Sequence, residues 1–237
     1  MRFFLSFPKK WDVFYNTFVN HNGYKEVLTG LQNTLIIAVL GLLIGIVIGT
    51  VIAAVKVIPP YKRVTRFFQR IGDIYVAFFR GTPMVVQLLL GYYVLFPMLG
   101  INMPVINVCV TIFGLNSGAY ISEIMRGGIN SVDPGQMEAA RSLGLSYWRS
   151  MFRVVLPQAI KNMIPSIVNQ FIITLKDTSI LSVIGFPELV NKAQNVIAIT
   201  FKSFEMWGIV AVMYLVVILA LQQVANALER SLKRDRK

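Results

Sequence analysis

No charged residue interrupts positions 27–55, a run ample for a helix that needs about 20 apolar residues to cross a bilayer. Largely apolar stretches follow from about Ile71 to Leu99, from about Pro104 to Met125, and from Met206 to Leu228. This pattern predicts an all-α membrane protein with about five transmembrane helices. The fourth span is irregular. Only 14 uncharged residues separate Lys161 from Lys176, so either a polar pair enters the membrane or a short helix continues in a re-entrant segment, Thr178 to Pro187. In the first span, Gly41, Gly45 and Gly49 recur at every fourth position, a stripe suited to close helix packing. The join from Pro97 to Pro104 carries no charge and predicts a tight hairpin. Ahead of the spans, Trp11, Phe14, Tyr15 and Phe18 fall at helical spacing and predict an amphipathic helix on the membrane surface. The chain thus divides into an extracytoplasmic segment 1–26, a transmembrane domain 27–228 and a basic tail 229–237.

One long polar stretch, Asp133 to Pro157, lies between the third and fourth spans. Local signals divide it into two short helices. Asp133 suits the N-cap of the first, Pro134 its first position, and Gln136 the capping-box position. Gly144 is placed to end that helix, Ser146 to cap the second, and Pro157 to stop or kink it. Met137, Ala139 and Ala140 give the first helix a small apolar face of the kind that docks in a groove of another protein.

Composition agrees with a membrane setting. Of 237 residues, 55% are hydrophobic and 14% charged, against about 25% charged in soluble domains. The net charge of +12 records topology rather than a nucleic-acid partner. The loops 56–70 and 126–161 and the tail carry five Lys/Arg each, fifteen together, against seven on the other side. The positive-inside rule then puts the amino terminus outside and the polar loop and carboxyl terminus in the cytoplasm. The start has too short an apolar run for a signal peptide, so the first span directs insertion. Cys109 is the only cysteine and reads as a small core residue.

No phosphate-binding GxxxxGK[ST] loop, zinc pattern or nucleophile elbow occurs, so neither catalytic nor metal-binding residues are expected, and ATP-driven work requires a second polypeptide. The chemistry lies instead in polar residues within the spans, costly in lipid and expected to face partner helices or a water-filled path. Arg80, in the second span beside Thr82, Pro83 and Gln87, either snorkels at a helix end or sits deeper where Pro83 loosens the helix. Glu123 and Arg126 are three apart and can pair on one face, which Tyr120 shares. Lys176-Asp177-Thr178-Ser179 offers a cation, an anion and two hydroxyls, complementary to a zwitterion. Lys176 and Asp177, about 100° apart on a helix, cannot satisfy each other; outside the bilayer both heads would simply face water.

The run Glu138-Ala139-Ala140, then Gly144, then Val154-x-Leu156-Pro157 resembles the EAA loop of membrane subunits in ATP-binding-cassette importers, departing from it with Val154 where that pattern has Ile. NTLIIAVLGLLIG, FFRGTPMVVQL, SGAYISEIMRGGI and LKDTSILSVIG resemble segments of the polar amino-acid permeases in that class, and the likeness covers roughly residues 28 to 226. The resemblance implies a type I importer-like fold in a bacterial-type cell (inner) membrane. It implies a cytoplasmic coupling loop, 126–160, in which Glu138, Ala139, Ala140, Gly144, Leu156 and Pro157 engage a separate ATPase. Its partners would be a second permease subunit, two ATPase subunits holding ATP and Mg, and an extracytoplasmic amino-acid-binding protein. The chain itself would hold no cofactor. Residue chemistry then places Lys176 or Arg80 near a substrate carboxylate and Asp177 or Glu123 near its cationic groups. The alternative is a channel or ion-coupled carrier working without an ATPase, against which the lack of an internal repeat weighs. A membrane-embedded enzyme is disfavoured by the lack of a His or carboxylate cluster; the only histidine, His21, falls in a polar linker.

Overall fold

A computed structural model describes residues 12, 15–20 and 22–234. Trp11, Phe14 and His21, and with them most of the expected surface helix, lie outside these residues. Within them, Asn16–Asn20 form one wide helical turn, and Phe18 packs beside the start of the first long helix. That helix, α1, is Gly23–Val57, and α2 is Arg63–Gly81. Next comes α3, Met84–Leu90, prolonged by a π-type turn to Met98; α4 is Val105–Asn130. The polar loop holds α5, Pro134–Ser142, and α6, Tyr147–Ser150, which runs through a π-type turn into α7, Leu156–Asp177. A 3₁₀ segment, Thr178–Ile184, leads to α8, Leu189–Thr200, and the last helix, α9, is Ser203–Arg234. Four of these helical stretches are long and apolar enough to cross a membrane, and the bent α2–α3 pair makes five.

The glycine stripe is what brings α1 and α4 together. Gly41, Gly45 and Gly49 are buried against Phe113, Ser117 and Ile121, which repeat with the same four-residue period on α4. A β-carbon on Gly45 would lie 2.6 Å from Cβ of Ser117, so the two backbones approach as only glycine permits. On the opposite side of α1, Leu43, Val47 and Val51 remain exposed, as do Val212, Leu215, Val216 and Leu219 on α9. Such apolar faces suit a hydrocarbon surround.

The second span is not one straight helix. α2 and α3 meet at 108° over Thr82 and Pro83. Proline supplies no N–H and forces the preceding residue out of the helical region, and Thr82 is accordingly extended (φ −117°, ψ 146°). The irregular fourth span is resolved differently from a short 161–176 helix. α7 begins before Lys161, at Leu156, and continues through Asp177 into the 3₁₀ segment, giving one helical path from Tyr147 to Ile184. Pro157 does not stop it. The π-type turn Met151–Val155 lies directly ahead and widens the helix where the proline ring would clash with the carbonyl of residue 153.

Candidate functional site

Five charged side chains meet where α1, α2 and α4 converge. The Lys56 ammonium lies 2.9 Å from both Asp73 Oδ1 and Glu123 Oε1. The other oxygen of Glu123 accepts from Arg126 Nη2 at 2.7 Å and Nε at 3.2 Å. Arg80 approaches the same oxygen only to 3.9 Å, and its guanidinium rests 5.4 Å from the centre of the Tyr120 ring, within cation–π range. The five charged residues line an open cavity of about 520 Å³. With three cations and two anions, the cluster has a surplus positive charge, and the looser cation is Arg80. Glu123 therefore faces cations on both oxygens, and the expected Glu123–Arg126 pair is only part of its surroundings.

Gln87, expected beside Arg80, has a different setting. It is 4% exposed, and its Nε2 donates to the carbonyls of Phe79 (2.8 Å) and Thr82 (2.9 Å). Its Oε1 accepts from Asn116 Nδ2 of α4 at 2.8 Å. The side chain thus satisfies carbonyls left open where α2 ends, and its amide is engaged in holding the α2–α3 corner rather than turned to the cavity.

Lys176 is exposed and Asp177 partly buried at the end of α7, with no ion pair between them. The Thr178 hydroxyl donates to the Leu175 carbonyl at 2.7 Å and that of Ser179 to the Lys176 carbonyl at 2.8 Å, so both protons turn back to their own helix. The register of α4 and α7 separates this group from the first. Ser117 meets Thr174 hydroxyl to hydroxyl at 3.3 Å, and Gly128 lies against Met163. Glu123 is six residues from Ser117 toward the Gly128 end, whereas Asp177 is three residues from Thr174 in the other direction. At about 1.5 Å per residue the two carboxylates of one chain stand about 14 Å apart along the axis. Lys176 and Asp177 form one level; Arg80, Tyr120 and Glu123 form another.

The polar loop folds as two helices. Asp133 Oδ1 accepts from the Gly135 N–H at 2.8 Å, and Pro134 occupies the first turn of α5. The capping box does not close, because Gln136 Oε1 accepts from Gln158 instead. Ser146 stands at the N-cap of α6 but makes no side-chain cap bond. Gly144 ends α5 at φ +83°, and the Leu145 N–H reaches back to the Ala140 carbonyl at 3.2 Å. The outward face differs from the expected one. Ala140 is buried and Met137 packs toward Val132, Met151 and Val155, so these two seat α5 on its own subunit. Glu138 and Ala139 point outward together with Leu143, which is 85% exposed. Leu156 is half-buried and Pro157 exposed at the start of α7.

Three contributors escaped the sequence reading. Lys56 pairs with Glu123, and Asp73 pairs in turn with Lys56; the only hint was that Lys56 is the first charge after the uncharged run 27–55. Glu188 is fully buried, its carboxylate accepting from the N–H groups of Val190 (2.8 Å) and Asn191 (2.7 Å) at the start of α8. Its neighbour Pro187 is gripped from α1, where Asn33 Nδ2 donates to the Pro187 carbonyl at 2.8 Å. A lone acid followed by an apolar helical run was the available signal.

Comparison with known proteins supplies the frame for this geometry. An arginine transport system permease protein, ArtQ, of Bacillus subtilis is 40% identical over 209 residues, covering 88% of this chain and 93% of that one. A glutamine transport system permease protein, GlnP, of Escherichia coli K12 is also 40% identical over 210 residues, covering 87% and 93%. Among solved structures, an amino acid ABC transporter crystallised with histidines superposes with a TM-score of 0.82 at 37% identity, covering 92% of this chain and 98% of that one. The MetNI methionine ABC transporter in an inward-facing form shares the fold at 16% identity, with a TM-score of 0.73 and coverage of 87% and 96%. Residues 41–234 match the family of binding-protein-dependent transport system inner membrane components, and the chain, an all-α membrane protein of the type I importer fold, belongs to that family.

Proposed function

We propose that this chain is the permease subunit of an ATP-driven importer of polar amino acids, working with a second permease subunit, the same chain or a paralogue. Two ATPase subunits hold ATP and Mg, and an extracytoplasmic binding protein delivers the amino acid. The amino terminus lies outside and the α5–α6 loop in the cytoplasm, as its basic residues favour. The observation that carries the reading is the α5 helix. It is seated on its own subunit by Met137 and Ala140, ended by Gly144, and presents Glu138, Ala139 and Leu143 outward. A short rigid helix with an exposed leucine fits a groove in the ATPase and can carry its motion into α7 through the continuous helix beyond Pro157. Alternating access then moves the amino acid between two levels. Lys176 and Asp177 meet its charged groups at one. Arg80, the loosely paired cation above Tyr120, meets its carboxylate at the other, where Glu123 faces its cationic end. The relatives split between arginine and glutamine systems, whose shared class is the polar amino acids.

The test is uptake into vesicles carrying the permease with its ATPase and binding protein. Asp177→Asn and Glu123→Gln each lower amino-acid uptake while basal ATP hydrolysis stays near that of the parent. If both variants carried every amino acid at the parent rate, the site assignment would fail. Uptake that proceeds without the ATPase would favour a channel or ion-coupled carrier.

A further inference from the structure

An apolar groove of about 320 Å³ lies between α1, α4 and the α6–α7 helix and shares no lining residue with the charged cavity. One wall is a line of side chains at every fourth position, Trp148, Phe152, Leu156 and Ile160, running from α6 into α7; the other includes Ala54 of α1 and Met125 of α4. Among the described residues no charged side chain lines it, and the Thr50 hydroxyl donates to its own helix, to the Ile46 carbonyl at 2.6 Å. Trp148 and Phe152 stack at 6.0 Å, yet both stay more than half or about half exposed, at 50% and 60%. Twelve residues separate Trp148 from Ile160, about 18 Å of helix. That length matches one leaflet, half of a hydrocarbon core about 30 Å thick.

Charge marks the mouth of the groove. Arg149 and Arg153 are one turn apart beside the apolar line, Arg149 three residues before Phe152 and Arg153 three before Leu156. Both are exposed, and neither forms an ion pair with an acid among the described residues. Trp148 stands at the same end, where an amphipathic ring favours the headgroup level. We propose that this groove holds one acyl chain of an anionic phospholipid, whose phosphate is gripped by Arg149 and Arg153. The lipid then wedges between α1, α4 and the α6–α7 helix, directly behind the outward face of α5. The site does not depend on the transport reading.

Trp148 reports on its own groove. In the full-length chain carrying Trp11→Phe and Trp207→Phe it is the sole tryptophan. That protein is reconstituted in phosphatidylcholine vesicles containing a small, equal fraction of either dibrominated phosphatidylglycerol or dibrominated phosphatidylcholine. Two guanidiniums at about fivefold each favour the anionic lipid by roughly 25-fold, so brominated phosphatidylglycerol quenches Trp148 at far lower mole fraction. Arg149→Gln with Arg153→Gln removes that preference and leaves quenching by brominated phosphatidylcholine in place. Equal quenching by both lipids in the parent protein marks ordinary boundary lipid and overturns the proposal. Quenching by neither means that protein, such as a second permease subunit, covers the groove, and overturns it as well. The parent comparison decides the matter even if the double variant does not assemble.

Discussion

Replacing Gly45 by alanine puts a methyl group where α1 and α4 nearly touch. Its carbon would lie 2.6 Å from Ser117 Cβ and 3.1 Å from the Gly118 nitrogen. Carbon atoms pack comfortably from about 3.5 Å, so the helices must part by about 0.9 Å at this point. No rotamer change relieves the clash, since the nearest atoms are a β-carbon and backbone. Parting there also loosens Gly41 and Gly49 on the same line and stretches the 3.3 Å contact between Ser117 and Thr174. That places the cost at the upper end of overpacking, about 3 kcal/mol, against about 1 kcal/mol gained in helix propensity. A net loss of about 2 kcal/mol lowers the unfolding midpoint of a chain this size by about 4–8 °C. Cys109, the only cysteine and fully buried, supplies the assay: its reaction with a thiol-reactive dye in detergent micelles follows unfolding on heating. Gly208→Ala is the control, because beyond its own helix turn no described residue comes within 4 Å of its added methyl, and its midpoint should stay level or rise. A Gly45→Ala midpoint equal to that of the control would refute the close-packing argument.

Gly144→Val forces a branched side chain into φ +83°, at a cost of about 1 kcal/mol or more, and should separate ATP hydrolysis from uptake in reconstituted vesicles while the chain still inserts. Normal coupled uptake would count against α5 as the transmitting element. For orientation, in a Cys109→Ala background, a cysteine in the 56–70 loop should resist an impermeant thiol reagent in intact cells, and one near Lys192 should react; the reverse pattern would invert the proposed topology.

Features set by neighbours along the chain were legible in advance. The four-residue spacing of Gly41, Gly45 and Gly49 announced a packing seam, and Gly144 announced a left-handed turn, because both depend on local backbone needs. The long helices followed from uncharged runs for the same reason. What the sequence hid was which faces meet. Glu123 could be paired with Arg126 by counting three residues, but its contact with Lys56, 67 positions away, depends on how α1 crosses α4. Gln87 looked like a pore residue because a polar side chain in a span suggests a ligand, whereas Pro83 had opened backbone carbonyls that it satisfies first. Met137 and Ala140 belonged to an apolar face, and only the packing of α5 on Met151 and Val155 reveals that this face turns inward.

The corner between α2 and α3 also orders events in time. Its angle is held by Gln87 reaching back to Phe79 and Thr82, and Gln87 is steadied in turn by Asn116, which is made 29 residues later. While the chain is being synthesised, α2 and α3 enter the bilayer with that second amide still inside the ribosome or the insertion channel. The bend therefore acquires its last hydrogen bond only when α4 arrives and docks along the glycine seam of α1. Until then the Gln87 amide oxygen depends on water or on the insertion machinery, which makes the first three spans a single unit of assembly rather than helices delivered one by one.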